Sequence, residues 1–66
     1  MEQSQISDIN YYIDRIIYHS KLSQLYKDKL NYEEYNNDIL TQNKYKYHIA
    51  KIFNYKYKIN KTLKQL

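Results

Sequence analysis

The 66-residue chain contains neither glycine nor proline. Tight hairpin turns between β-strands rely on positive φ, which glycine, asparagine and aspartate supply. Seven Asn residues could serve some turns, but a multi-stranded fold built with no glycine is unusual. Helices joined by Asn-containing turns need neither missing residue. The expectation is an all-α domain: a small bundle or hairpin of two to three helices, ending in a long basic C-terminal helix. At this length one domain is the limit, and a single core buries only about 60% of the unfolded chain's surface. Such chains lean on a disulfide, a metal or a partner chain. There is no Cys, which leaves a partner chain as the expected support, either a second copy in a homodimer or the target itself.

Hydrophobic spacing sets the helix boundaries. Ile6, Ile9, Ile13, Ile16 and Ile17 share one face at about 100° per residue, with Ser4 or Ser7 as start caps, and predict a helix over about 5–19. Leu22, Leu25, Tyr26 and Leu30 also keep helical spacing, but on the far side from the Ile stripe. Either the chain breaks near Ser20, the reading favoured here, or one long helix buries different faces against different neighbours. A second helix is expected over about 21–36, with Asn31 and Glu34 at capping-box distance. Asn36, Asn37 and Asp38 form the most turn-like cluster. With Thr41 as another cap, the last helix should start between 38 and 44 and run over about 42–65.

The stretch KYKYHIAKIFNYKYKINK, from Lys44 to Lys61, tests the fold class directly. Lys and Tyr alternate as on a strand, but that reading puts Lys51 and Lys61 on the apolar face and Ile52 and Leu66 off it. As a helix, Tyr45, Ile49, Ile52, Phe53, Ile59, Leu63 and Leu66 fall within an arc of about 140°. Most Lys residues take the other side, and only Lys56 intrudes on the stripe, where its stem can snorkel. The aliphatic residues select the helix. The two Lys/Tyr clusters lie 11 residues apart, about three turns, and read as low-complexity coincidence.

The net charge of +4 is unevenly spread. Residues 1–40 hold all seven acids against Arg15, Lys21, Lys27 and Lys29, net −3, while residues 41–66 hold seven Lys and no acid, net +7. The bland explanation is an acidic helix beside a basic one. The sharper explanation is a basic surface for an anionic partner. On the last helix Lys44, Lys46, Tyr47, Lys51, Tyr55, Tyr57, Lys58, Lys61 and Lys64 form the candidate contact set. Lys neutralises phosphates, and Tyr stacks on bases or bonds to phosphate oxygens. Without Arg in that half, bidentate guanine readout is absent, so the expected partner is DNA or RNA, bound with weak sequence specificity.

Chemistry is thinly represented. His19 and His48 have no metal-ligand spacing around them and read as structural or surface residues. Acids at 33, 34 and 38 have a helix-dipole explanation. Ser7, Ser20 and Ser23 lack a nucleophile context, and a chain this short has little room for a catalytic pocket. No enzyme activity, cofactor or metal is expected. No segment approaches the roughly 18 apolar residues of a membrane span, and MEQSQISD opens no leader, so a cytoplasmic protein is expected. Lys, Tyr, Ile and Asn share A/T-rich codons, which suits a phage, plasmid or other A/T-rich element and explains part of the Tyr content without function.

Two further roles fit the same residues. One is a protein–protein inhibitor or regulator docking on a host protein complex, such as a nucleic-acid-handling or defence assembly. Tyr suits such contacts, with large area and a polar tip. The other is a short coiled-coil module, in which Ile49, Ile52, Ile59, Leu63 and Leu66 match a heptad with Lys56 at a core position.

Overall fold

The computed structural model describes residues 3–65, and these form a helical hairpin. Helix α1 spans Gln3–Leu30 and helix α2 spans Ile39–Lys64. The described body measures 49 × 14 × 13 Å, two helices lying side by side along its length. Among the described residues there is no strand, and no helix is long and apolar enough to cross a membrane.

Helix α1 runs through Ser20 without a break, so the expected helices of about 5–19 and about 21–36 are one element that stops at Leu30. The change of apolar face at Ile17 has the other cause: different sides of one helix meet different surroundings. Ile9, Tyr12, Ile16, Leu22, Tyr26 and Leu30 turn inward and are half-buried, whereas Ile6, Ile13 and Ile17 are exposed on a flank. Serine is accommodated in the helix because its hydroxyl can bond back to the preceding turn. Ser23 does so, its Oγ donating to the Ser20 carbonyl at 2.9 Å.

The connection over 31–38 explains the missing glycine. Its backbone advances in short i→i−3 steps: the Asn31 N–H donates to the Asp28 carbonyl, Tyr35 to Tyr32 and Asp38 to Tyr35, at 3.0–3.1 Å. Every described residue keeps negative φ, so no left-handed position calls for glycine. Asn31 is therefore the first turn residue after α1 and not a cap. Asp38 sits at the N-cap of α2 in extended conformation, and the Thr41 hydroxyl donates to its carboxylate. That hydroxyl is the main reason the Asp38 pKa lies below its ordinary value. Lys27 and Lys29 end α1, and Lys61 and Lys64 end α2, each set favourable to the helix dipole.

The seam between the helices is unusually polar. Its buried residues are His19, Ser23, Thr41, His48 and Ile52, and Ile52 is the sole hydrophobic side chain among them within the described residues. The arc expected as the buried stripe of α2 is only partly covered. Tyr45, Ile49 and Ile59 are half-buried, but Phe53 is 65% and Leu63 47% exposed; Leu66 lies outside the described residues.

The charge separation also differs from a basic helix against an acidic one. Of the acids, Glu33, Glu34 and Asp38 sit in the turn. The polarity therefore runs along the hairpin, from an acidic turn to a basic open end.

Candidate functional site: a histidine pair under a tyrosine and cation surface

The centre of the seam is a pair of histidines. His19 Nδ1 and His48 Nδ1 are 2.7 Å apart, buried between α1 and α2. On the far side of His19, an Arg15 Nη2 lies 3.5 Å from Nε2. Guanidinium nitrogens only donate, so this contact favours the tautomer in which His19 Nε2 is free to accept and its proton is on Nδ1. In that arrangement His19 donates to His48 Nδ1, the His48 proton is on Nε2, and both rings are neutral. Burial lowers both pKa values, and at His19 the charges of His48, Arg15 and Lys51 push the same way.

Aromatic rings enclose the pair. Tyr26 stacks on His48 with centroids 5.7 Å apart, and Tyr55 stacks on His19 at 5.9 Å. Tyr18 and Tyr47 meet His19 edge-on. No local spacing pairs the two histidines, since what brings them together is a cross-helix stagger. The 2.7 Å separation is too short for both Nδ1 atoms to ligate one ion, which would need about 3.3 Å at ordinary metal–nitrogen lengths. No cluster of three or more potential ligand side chains occurs among the described residues.

Above this pair lies a mixed surface from both helices. The Arg15 guanidinium sits 4.4 Å over the Tyr18 ring. Lys58 Nζ lies 5.3 Å from the Tyr55 ring and 5.8 Å from Tyr12, bridging α2 to α1. Lys51 approaches Tyr47, and Lys44 approaches Tyr26. Each contact is a cation on a ring face, worth about 0.5–1 kcal/mol where exposed. Tyr11 joins Tyr12 and Tyr55 in a three-ring cluster. At Tyr55 burial raises the phenol pKa, but hydrogen bonding with Arg15 and Tyr11 and the charges of Arg15 and Lys51 outweigh it, for a net lowering. Among the described residues, none of these cations forms a salt bridge with a carboxylate. Arg15 Nε is buried with no hydrogen-bond partner among them.

The nine expected contact residues therefore separate. Lys44, Tyr47, Lys51, Tyr55 and Lys58 lie on this shared surface. Lys46, Tyr57, Lys61 and Lys64 fall on the outer side of α2 at about 100° per residue, where Tyr57, Asn60, Lys61 and Lys64 line a shallow open groove. Sequence reading missed the contribution of α1, namely Arg15, Tyr11, Tyr12 and Tyr18, because the hairpin pairing alone brings them beside α2.

No family model, curated protein or solved structure matches this chain.

Proposed function

We propose that the protein is a non-enzymatic binding module that contacts nucleic acid through the tyrosine and cation surface. The observation that supports it most is a group of four cations, Arg15, Lys44, Lys51 and Lys58, set among Tyr rings with no salt bridge to a carboxylate. Such a surface attracts an anion, and the exposed rings of Tyr11, Tyr18 and Tyr47 suit stacking on unpaired bases. Phosphate contacts position a strand without reading its sequence. With a single arginine in the set, weak sequence preference follows.

Fluorescence anisotropy with single-stranded and duplex oligonucleotides at low salt tests this reading. Four neutralised phosphates on a single strand give a log–log salt slope of about −3. Lys51→Glu with Lys58→Glu should abolish binding, whereas Lys46→Glu with Lys64→Glu, on the outer side, should weaken it far less. Absence of binding at tens of micromolar protein would end the proposal.

A second reading, a regulator docking on a host protein complex, draws on the exposed apolar side chains Ile13, Ile17 and Phe53. Pull-down with and without nuclease separates the two.

A further inference from the structure

We propose that the Ile/Phe flank of the hairpin is the meeting surface of two copies of this chain, paired antiparallel into a four-helix bundle with each tyrosine and cation surface facing outward. This inference is independent of the nucleic-acid reading, since its readouts are mass and orientation.

The geometry comes from helix handedness. In two antiparallel right-handed helices, residues turned in the same angular sense from the seam point to the same side of the pair. Ile6, Ile13 and Ile17 are turned about 110–150° from the seam of α1, and Ile49 and Phe53 about 80–120° from that of α2. Both sets are displaced in the same sense, opposite to Arg15, Lys51 and Lys58. The cross-helix contacts His19–His48 and Tyr12–Tyr55 fix the stagger, which sets Ile13 level with Phe53 and Ile17 level with Ile49. Ile6, Ile13, Ile17 and Phe53 are exposed, so the flank is unpartnered in the single chain.

Two observations select a second copy as the occupant. First, the exposed Ile and Phe side chains run from Ile6 to Ile17 on α1, roughly 17 Å, with Phe53 beside them on α2, and span roughly 20 Å across both helices. That gives about 350 Å² per copy and about 700 Å² for a pair, the scale of a weak, concentration-dependent association. Lys56 stands over the Phe53 ring and Lys46 lies seven residues before it on the same face, so the flank is apolar with a cationic edge. Second, the hairpin's ends are complementary. Asp28, Glu33, Glu34 and Asp38 outnumber Lys27 and Lys29 at the turn, and Lys56, Lys58, Lys61 and Lys64 face one acid, Asp8, among the described residues of the open end. Antiparallel pairing sets each turn against the partner's open end, and parallel pairing would set like against like. Exposed pairs contribute little affinity but choose orientation.

Sedimentation equilibrium of the full chain should give twice the 8.2 kDa chain mass at tens of micromolar, with a melting temperature that rises with concentration. A helical monomer, or an assembly larger than two, would overturn the proposal. Phe53→Lys should weaken the dimer at least about a hundredfold, while Tyr47→Lys, on the opposite side, should leave the mass unchanged; the reverse pattern would refute the assigned surface. If Phe53→Lys does not fold, the concentration dependence of wild-type melting still decides. The chain has no Cys, so Glu34→Cys and Lys64→Cys chains, mixed and oxidised, report orientation. Mixed disulfides support antiparallel pairing, and predominance of self-disulfides refutes it.

Discussion

Acidification should loosen this hairpin at its centre. His19 donates from Nδ1 to His48 Nδ1 at 2.7 Å, and the Arg15 guanidinium occupies the other side of His19. A proton on His48 Nδ1 destroys the acceptor, and one on His19 Nε2 faces Arg15. Both pKa values are lowered in the fold, so the unfolded chain binds protons first. The sign follows: the stability the pair contributes is complete above the unfolded value of about 6.5 and is lost as pH falls below it. One pH unit below that value the cost has a ceiling of about 1.4 kcal/mol per histidine, reached where the fold excludes the proton entirely. A chain of this size has a total stability of only about 3–10 kcal/mol, so the loss is a large share. Urea unfolding followed by circular dichroism at pH 7.5 and 5.5 measures it. The midpoint should drop sharply in the wild type and little in the His19→Leu/His48→Leu double variant, since replacing both partners by apolar groups is near neutral. A single His48→Leu change should cost about 1–3 kcal/mol at pH 7.5 by leaving the His19 donor unpaired. Equal wild-type midpoints at the two pH values would refute the reasoning. Asp38, whose pKa is also lowered, acts in a separate window, its contribution fading only below about pH 4.

Other perturbations probe other links. Ser20→Pro should cost about 3 kcal/mol or more, because α1 is continuous there and proline removes a helical bond; unchanged helicity and melting would argue for two helices. Ile52→Ala, at the buried apolar position of the seam, should lower stability by about 2 kcal/mol, the low end of such substitutions because the site is rimmed by polar groups, as read by chemical denaturation. Thr41→Val removes the hydroxyl that donates to Asp38, and an NMR titration should show the Asp38 pKa rising toward the ordinary carboxylate value. No rise would remove Thr41 as the cause.

Helical class and the limits of α2 were legible because aliphatic periodicity and the absence of glycine and proline are local signals. Ile49, Ile52 and Ile59 ruled out a strand at Lys44–Lys61, and Asp38 closes the turn-like cluster as the N-cap of α2, whereas Thr41, read as another cap, lies inside the helix and donates to Asp38. What could not be read was which residues meet. The Ile stripe of α1 and the Leu22, Tyr26 and Leu30 set looked like two helices because each implies its own buried face, and sequence periodicity does not say that one helix can serve two. The site was partly legible for the same reason. Lys51, Tyr55 and Lys58 share a surface through α2 alone, but Arg15, Tyr12 and Tyr18 join it through a stagger set by the whole hairpin.

That stagger places residues in an order opposite to the usual one. The polar side chains His19, Ser23, Thr41 and His48 occupy the seam, while Ile13, Ile17 and Phe53 stay outside. Hydrogen-bonded polar groups fix register more than they add stability, since each bond nets only about 1 kcal/mol against water. Apolar burial supplies the stability, at about 25 cal/mol per Å². In this chain the two roles are divided between two surfaces. The histidine seam sets which residues of α1 stand beside which of α2, and so assembles the tyrosine and cation surface. The Ile/Phe flank holds apolar area that the single hairpin leaves exposed. Because the surfaces lie on opposite sides, covering the flank leaves Arg15, Lys51 and Lys58 open to an anionic partner. Two copies joined at the flank would then present two such surfaces, back to back, and a strand long enough to reach both would bind with avidity that neither surface has alone.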